Sequence, residues 1–297
     1  MKRRHSFFTF AICLILSGPL LRLASAEGAG THLTVMTYNV LCSFCDPKHF
    51  DRWEERIASE ADIIKRYKPD LIGFQEISKP EEVDQIAALN KEYSSIYYRD
   101  PDGLKTYPDA TIFYRTDRFD VLEQGTIWLS ETPDTPWSKG WAKLQFWRIV
   151  IWAHLKQKSN GREFYFATTH FDNNFPNQEK SAPIVLDRIS QWAQKLPVVF
   201  VGDFNSRPNS KAYGILSGGV DGKGFKLTNA YDIAAAKSSE SNQNPKPAYD
   251  ESDRIDHIWF AGPGPFHVPK WMADMYVFGV NKRYPSDHFP IIAEVEF

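Results

Sequence analysis

Acidic, amide and imidazole side chains recur along this sequence at points where apolar, strand-like runs end or are interrupted. The chain reads Val-Val-Phe-Val-Gly and then Asp203-Phe-Asn205, so a carboxylate and an amide follow a buried run directly. Side chains in a strand alternate between its two faces, which predicts that Asp203 and Asn205 project the same way. Gly, Asp and Asn also favour turns, so this motif taken alone is equally typical of a plain turn.

Other groups of the same kind follow or interrupt apolar runs elsewhere in the chain. They are Asn39, Glu76, His170, Asp256, Asp287 and His288. A carboxylate in such a place is costly unless it is paired, solvated or bound to a cation. If the fold brings together the carboxylates of Glu76, Asp203, Asp256 and Asp287, they would repel one another without a cation. Oxygen ligands of this hardness suit Mg²⁺, with Mn²⁺ or Ca²⁺ as alternatives, and do not suit Zn²⁺.

Hydrophobic periodicity predicts the elements that must position these groups. Helices are expected at 51–67, 81–91 and 177–195. Strands are expected at 32–41, 70–74, 93–98, 110–115, 119–129, 148–155, 163–169, 198–203, 255–260, 275–280 and 291–297. Residues 234–251 are polar and predict a mobile surface loop. Because strands outnumber helices and come partly in hairpins, the pattern predicts a four-layered α/β sandwich, with two packed mixed β-sheets flanked by helices.

The N-terminal segment has the charge, core and small-residue order of a secretory signal. Lys2-Arg3-Arg4 precedes an apolar stretch at 7–21, and Ala24-Ser25-Ala26 follows it. We therefore predict a signal peptide at 1–26 and a secreted or periplasmic protein, with an uncleaved anchor as the alternative. No linker or repeat divides residues 27–297, which predicts a single domain there.

The charge balance argues against one class of partner. Removal of Lys2, Arg3, Arg4 and Arg22 with the signal leaves 31 basic and 37 acidic residues, a net charge of −6. No basic run survives, which disfavours a protein that grips long nucleic acid mainly by neutralising phosphates. The sequence also has no phosphate-binding Gly-rich loop, no Gly-x-Ser-x-Gly elbow and no His-Glu-x-x-His motif.

Three further features have competing interpretations. Cys42 and Cys45 predict a local disulfide after export, because a zinc site would need two more ligands and His49 is the only close candidate. The loop at 130–143 carries Trp137 and Trp141, and packed tryptophans are favoured there over a substrate-stacking platform. Strand alternation turns the histidine after Asp256 to the opposite face, so we predict that it packs in the core and takes no part in catalysis.

Six motifs in order make the chain resemble the endonuclease/exonuclease/phosphatase superfamily, which has the DNase-I-like fold. They are Thr-Tyr-Asn39-Val, Gly-Phe-Gln-Glu76, Thr-Thr-His170-Phe-Asp172, Gly-Asp203-Phe-Asn205-Ser, Arg-Ile-Asp256-His-Ile and Ser-Asp287-His288-Phe-Pro. The resemblance covers essentially all of 27–297, and it implies that this segment is the catalytic domain. Six motifs in the family's order are highly specific, whereas any one of them alone is weak.

The resemblance and the chemistry of the side chains together assign expected roles. Metal ligands are expected at Asn39, Glu76 and Asp287, and catalytic groups at His170, Asp203, Asn205, Asp256 and His288. Arg148 looks like the family's phosphate-contacting arginine, Tyr107 is the candidate for its assisting tyrosine, and Asp172 is expected behind His170. In this scheme Asp203 orients and deprotonates the attacking water, while the two histidines hydrogen-bond to phosphate oxygens.

The expected activity is that of a secreted, Mg²⁺-dependent hydrolase of phosphate esters, with a phosphodiesterase favoured and in-line attack by water as its mechanism. An extracellular endo- or exonuclease acting on DNA or RNA is the alternative. The second alternative is a binding module on the same scaffold that has no catalytic activity. The substrate stays open among small molecules, lipid head groups and nucleic acid. No stable protein partner is implied, and a monomer is expected.

Overall fold

Two β-sheets packed face to face form the centre of the structure, a computed structural model that describes residues 30–46, 48–143 and 146–297. The predicted signal at 1–26 lies outside these residues and stays a prediction. None of the helices in the described part of the chain is both long enough and apolar enough to span a membrane.

The helices and strands alternate irregularly along the chain. In order they are β1 (His32–Asn39), α1 (Trp53–Tyr67), β2 (Leu71–Gln75), α2 (Pro80–Leu89), β3 (Tyr93–Arg99), β4 (Thr106–Arg115), β5 (Phe119–Trp128), β6 (Ile149–Gln157), β7 (Glu163–His170), α3 (Asn177–Ala193), β8 (Val198–Asp203), α4 (Lys211–Gly218), β9 (Thr228–Asn229), α5 (Ala230–Ile233), β10 (Ala234–Glu240), β11 (Asp256–Ala261), β12 (His267–Asp274) and β13 (Ile291–Glu296). Most predicted elements are therefore present, with ends shifted by a few residues.

Both sheets are mixed. The seven-stranded sheet has the order β10-β12-β13-β1-β2-β4-β3, and the six-stranded sheet has the order β5-β6-β7-β8-β11-β9. Strands β1 and β2 are parallel, as are β7 and β8, whereas β8 and β11 are antiparallel. The two parallel pairs end at the same edge of the sandwich as the start of β11, because their carboxyl ends lie side by side.

The layers are held together by three groups of buried apolar side chains. Between the sheets, residues such as Val35, Phe166 and Val201 are almost fully buried. Helices α1 and α2 cover the outer face of the seven-stranded sheet, and α3 and α4 cover that of the six-stranded sheet. Full burial of one such side chain contributes about 1.5–3 kcal/mol. The predicted four-layered α/β sandwich, with two mixed sheets flanked by helices, is confirmed.

A glycine brings the two sheets close together behind the polar edge. A Cβ on Gly73 would lie 2.4 Å from both the Thr168 Oγ1 and the Val201 Cγ2 atoms of the other sheet. Two residues further on, Gln75 Nε2 donates a hydrogen bond to Thr168 Oγ1 at 3.0 Å. A larger residue at position 73 would push the sheets apart, so this glycine helps to set the distance between side chains of the two sheets.

Two predicted segments are wrong. Within the loop expected at 234–251, Ala234–Glu240 forms β10, an edge strand parallel to β12. Backbone hydrogen bonding to one neighbour is sufficient at an edge, so the strand does not need the apolar residues that the prediction relied on. The strand expected at 275–280 is also wrong, since β12 ends at Asp274. Strand β12 lies at His267–Asp274, where no strand was predicted; it contains Pro269, and its pairing with β13 shifts register between His267 and Lys270.

Candidate active site

The carboxylate of Asp203 lies at the centre of the polar edge. Its Oδ2 atom accepts a hydrogen bond from Asn39 Nδ2 at 3.0 Å and lies 3.5 Å from His170 Nε2 and 3.7 Å from His288 Nε2. Strand register explains this convergence, because Asp203 is paired with His170 of β7 and with Asp256 of β11. The fold thus brings residues that are far apart in sequence around one buried carboxylate.

The surroundings of Asp203 favour its ionised form. Burial alone would raise its pKa, but the charges of His288 and His170, with hydrogen bonds from Asn205 and Asn39, lower the pKa below its usual value. Asp203 is therefore negatively charged at neutral pH and can accept a proton. The two imidazole Nε2 atoms lie beyond ordinary hydrogen-bond distance from its oxygen, so both can bind another acceptor.

His288 is held by a second buried carboxylate. Its Nδ1 atom lies 2.8 Å from Asp256 Oδ2. Burial alone would lower the pKa of His288, but Asp256 and Asp203 raise it well above its usual value. Burial also raises the pKa of Asp256 to about 6. At neutral pH the pair therefore holds an imidazolium whose Nε2 atom donates toward the centre of the site. The other oxygen of Asp256, Oδ1, is buried without a hydrogen-bond partner among the described residues.

His170 is held in a similar way by a residue that the sequence analysis missed. Its Nδ1 atom lies 3.2 Å from Asp109 Oδ1 and 2.7 Å from Arg148 Nη1, and Arg148 Nη1 donates to Asp109 Oδ2 at 3.0 Å. Burial would raise the pKa of Asp109, but His170 and Arg148 lower it. Asp109 follows Pro108 within β4, and its polar character in a strand was the signal that could have identified it.

Glu76 is connected to Asp203 through the side-chain amide of Asn39. Its two oxygens accept hydrogen bonds from Asn39 Nδ2 at 3.0 Å and from the Cys42 backbone at 2.9 Å. Its backbone has a positive φ of 65°, which turns the chain directly after β2. Asp287 is exposed next to His288, with Ser286 Oγ 3.3 Å from its Oδ1 atom. Asn39 thus links Glu76 to Asp203.

The donor set fits a divalent cation with a preference for oxygen. Each Glu76 oxygen carries a single hydrogen bond, so lone pairs remain for a metal. Carboxylate oxygens are ligands that Mg²⁺ favours, whereas the Asn39 Oδ1 atom already accepts the Leu41 N–H at 3.1 Å. The ligand atoms of Asp203, Asp256 and His288 also lie within 4.8 Å of one another, so this group could hold a metal as well.

Cys42 and Cys45 form the predicted disulfide. The sulfur atoms are therefore bonded to each other and are not available to a metal beside Glu76. Arg56 stabilises the loop that contains this disulfide, because its guanidinium donates hydrogen bonds to the carbonyls of Leu41 at 2.9 Å and Pro285 at 2.8 Å. Disulfide and arginine together fix the backbone N–H that Cys42 donates to Glu76.

Asn205 reaches the site by a different route from the one that the sequence predicts. Strand β8 stops at Asp203, and Asn205 has a left-handed φ of 46°, so simple alternation does not apply. Its backbone N–H donates to Asp203 Oδ1 at 2.8 Å, while its side-chain amide donates to the Phe171 carbonyl at 2.9 Å. Asn205 is still beside Asp203, where it helps to hold the carboxylate.

Tyr107 belongs to an aromatic cluster near the site. Its hydroxyl donates to the Trp147 carbonyl at 2.7 Å, and its ring packs near Trp128 and Trp137. The structure therefore does not place this hydroxyl free for a phosphate, and the predicted role of Tyr107 would require that bond to break. Packing of Trp137 within the cluster agrees with the interpretation that tryptophans pin the loop.

Asp172 is buried behind the site and braces the neighbouring loop. Its carboxylate accepts a hydrogen bond from Asn177 Nδ2 at the start of α3. The Oδ1 atom of Asn177 accepts hydrogen bonds from the backbones of Trp141 at 2.7 Å and Ala142 at 2.9 Å. Asp172 thus positions the loop that precedes Arg148, and no contact between Asp172 and His170 is seen.

The histidine set aside in the sequence analysis is indeed packed. His257 is buried, and its Nε2 atom lies 2.9 Å from the Ser206 carbonyl. Burial lowers the pKa of His257 to about 3, so its ring is neutral. Strand alternation separated it correctly from its neighbour Asp256.

Comparison with known proteins identifies relatives of this architecture. The model of the endonuclease/exonuclease/phosphatase family matches residues 36–288. An endonuclease/exonuclease/phosphatase family protein from Bacteroides thetaiotaomicron is 31% identical, with 90% of this chain and 98% of that chain covered and a TM-score of 0.76. A mannosyl-6-phosphatase from the same organism is 32% identical, with 89% and 100% covered and a TM-score of 0.74.

A relative from an animal is more distant and longer. Nocturnin of Drosophila melanogaster is 26% identical over 332 residues, which cover 96% of this chain and 49% of Nocturnin. The present chain therefore spans about half the length of that relative.

Proposed function

Because this chain belongs to the endonuclease/exonuclease/phosphatase family, we propose that it hydrolyses phosphate esters of small molecules with the help of a divalent cation. The sequence analysis favours a phosphodiester, and a phosphate monoester is the alternative that the test below also measures. With the predicted signal at 1–26, the activity would be secreted or periplasmic.

One observation carries this proposal. Two imidazole Nε2 atoms converge on the ionised carboxylate of Asp203, and each imidazole has a carboxylate at its Nδ1 atom: Asp109 for His170 and Asp256 for His288. A base placed between two hydrogen-bond donors matches the needs of water attacking a phosphorus atom whose oxygens gain negative charge.

The proposed cation would be held by Glu76 and Asp287 with support from Asn39. When bound, such an ion polarises a phosphoryl oxygen and stabilises the charge that develops during displacement. The two Glu76 oxygens, each with one hydrogen bond, support an oxygen-preferring ion such as Mg²⁺, with Mn²⁺ or Ca²⁺ as alternatives.

The protein's own groups would divide the remaining work. Asp203, held by Asn39 Nδ2 and by the backbone of Asn205, would orient the attacking water and take its proton. His288 and His170 would donate hydrogen bonds to the phosphate oxygens. Arg148, whose Nε atom is buried without a partner among the described residues, would add positive charge at the same place.

The test compares wild-type protein with Asp203→Asn on bis-nitrophenyl phosphate and nitrophenyl phosphate. Loss of the base should lower kcat about 10²–10⁴-fold, because general base catalysis typically contributes that factor. Asp62→Asn is the matched control, since Asp62 is an exposed carboxylate on the outer helix α1. Titration of Mg²⁺, Mn²⁺ and Ca²⁺ against a chelator measures the dependence on the ion.

Two results would overturn the proposal. Folded wild-type protein that hydrolyses neither ester with any of the three ions would favour the non-catalytic binding module. Strong preference for duplex DNA, with a steep loss of kcat/KM as salt rises, would favour the nuclease alternative, because that slope reports many neutralised phosphates.

A further inference from the structure

A small cavity opens beside the catalytic pair Asp256 and His288. Its volume is about 180 Å³, and its other walls include Tyr249, Arg254 and Phe289. Sites for drug-sized ligands usually measure about 300–1,000 Å³, so this cavity suits a group of about one ring. It adjoins the place where the phosphate is proposed to bind, which makes it a candidate site for the alcohol part of the ester.

One wall of the cavity is aromatic. The rings of Tyr249 and Phe289 are half-buried, with centroids 6.3 Å apart. Burial raises the pKa of Tyr249, and the charge of Asp256 raises it further, so its hydroxyl stays protonated. That hydroxyl makes no hydrogen bond with another residue in the described part of the chain, and it can therefore donate to a ligand.

The rim of the cavity carries negative charge. Asp250 and Asp253 are exposed carboxylates around it, and Asp253 forms an ion pair with Arg207. The hydroxyl and backbone of Ser252 donate to Asp250 at 2.7 and 2.9 Å and lower its pKa, so Asp250 is ionised. Carboxylates accept hydrogen bonds from hydroxyl groups and repel a second phosphate. This rim therefore disfavours a substrate with several phosphates, such as nucleic acid.

A buried cation forms the remaining wall. Arg254 lies with its guanidinium carbon 3.9 Å from the centre of the Tyr231 ring and donates to the Glu251 carbonyl at 2.9 Å. Its Nε atom is buried without a hydrogen-bond partner among the described residues. A buried donor without a partner is costly, and an oxygen from a ligand would relieve that cost. The same charge disfavours a cationic group such as a quaternary ammonium.

We propose that this cavity binds a neutral, polyhydroxylated leaving group, so that the substrate is a phosphate ester of a monosaccharide. Hydroxyl groups can donate to Asp250 and accept from Arg254, whereas Asp250 repels an anion and Arg254 repels a cation. The C–H face of a sugar ring would pack on Tyr249 and Phe289. This inference rests on the proposed hydrolase function and names the substrate class of the same site.

The reaction conserves atoms and charge. Water forms a bond from its oxygen to phosphorus, the bond from phosphorus to the sugar oxygen breaks, and that oxygen keeps the bonding electron pair. The sugar oxygen takes a proton from the imidazolium of His288 and leaves as an alcohol, with inorganic phosphate as the second product of a monoester, and the proton held by Asp203 then restores that imidazolium. Asp203 is the group that receives the proton of the attacking water.

The experiment measures phosphate release from hexose 6-phosphate and from n-hexyl phosphate at the same concentration of free Mg²⁺. The two substrates share a primary phosphate on a six-carbon group, but only the hexose carries further hydroxyls. We expect kcat/KM to be at least about tenfold higher for the hexose, because a site that hydrogen-bonds hydroxyls rejects analogues without them. Choline phosphate and a dinucleotide serve as cationic and anionic competitors.

Variants then connect that preference to the cavity. Tyr249→Phe removes one hydroxyl and keeps the ring, and Asp250→Asn removes one charge. Each should reduce the ratio of kcat/KM between hexose and hexyl phosphate several-fold. Asp117→Asn, on the exposed turn between β4 and β5, should leave the ratio unchanged.

The outcomes separate this inference from the proposed function. If nitrophenyl esters are hydrolysed but hexose phosphate is no better than hexyl phosphate, the leaving-group inference is wrong and the hydrolase stands. A preference for choline phosphate or for the dinucleotide, or a ratio that neither cavity variant changes, would also overturn it. If no ester is hydrolysed, the proposed function itself has failed.

Discussion

Replacement of Asp109 by Asn tests whether a buried carboxylate holds two functional side chains at once. Asp109 accepts a hydrogen bond from Arg148 at 3.0 Å and lies 3.2 Å from the Nδ1 atom of His170. Asn keeps the size of the side chain and one acceptor, but it removes the negative charge that faces Arg148 and His170. His170 would lose the carboxylate beside its Nδ1 atom, and Arg148 would lose its buried counter-ion.

The expected loss of stability follows from these contacts. Hydrogen bonds to charged groups contribute about 1.5–3 kcal/mol each, and Asn retains part of one, so we expect a loss of roughly 2–3 kcal/mol. In a domain of this size that corresponds to a fall in Tm of about 5–10 °C. The loss should be full above the ordinary pKa of 3.8 and should shrink as pH falls, because the native environment lowers the pKa of Asp109.

Activity should fall as well, and more than the stability loss explains. With His170 no longer oriented, kcat on a nitrophenyl ester well below the Tm of the variant should fall about 10–100-fold. Asp117→Asn is the control, since its pair with Arg115 is exposed and such pairs contribute about 0–1 kcal/mol. A kcat within twofold of wild type in folded Asp109→Asn would refute the positioning role of Asp109.

Three further predictions test the metal side of the site and the charges in the core. Glu76→Gln should raise the Mg²⁺ concentration needed for half-maximal hydrolysis at least tenfold with Tm nearly unchanged, and an unchanged Mg²⁺ titration would show that Glu76 is no ligand. The double variant Cys42→Ser, Cys45→Ser should weaken the Mg²⁺ response in the same direction, because the disulfide loop supplies the N–H that fixes Glu76; the same titration checks it. Burial raises the pKa of Glu60 to about 8, so the stability that wild type gains from the protonated carboxyl group is lost as pH rises from about 4.5 to about 8. The Tm of Glu60→Gln should therefore rise relative to the Tm of wild type over this pH range. An equal difference in Tm at pH 5 and at pH 9 would contradict this prediction.

Much of the fold could be predicted from local patterns. Runs of β-branched and aromatic residues predicted most of the strands, and three amphipathic patterns predicted α1, α2 and α3. The errors lie where local composition is a poor guide. Strand β10 is polar because it pairs at an edge, α4 was not predicted, and β12 contains Pro269, which a sequence reading counts against a strand.

The residues of the candidate site also fall into those that local sequence patterns predicted and those that they did not. Asn39, Glu76, His170, Asp203 and His288 could be identified because each is a polar group at the end of an apolar run, and this signal is local. Asp109 lies within a strand, and its role became apparent only from its contact with His170, which is 61 residues away in the sequence. Asn205 reached the site through a left-handed backbone turn, which strand alternation does not describe.

The sequence by itself determined which chemical groups the protein has and at which ends of its elements they stand. Tertiary structure decided which of them meet: the carboxylate behind each histidine, the link from Glu76 through Asn39 to Asp203, and the cavity between Tyr249 and Phe289. The physical reason is that pKa shifts, hydrogen bonds and cavity walls depend on distances of a few ångströms between segments far apart in the chain. Those distances are set by sheet register and packing, and no local pattern of residues encodes them directly.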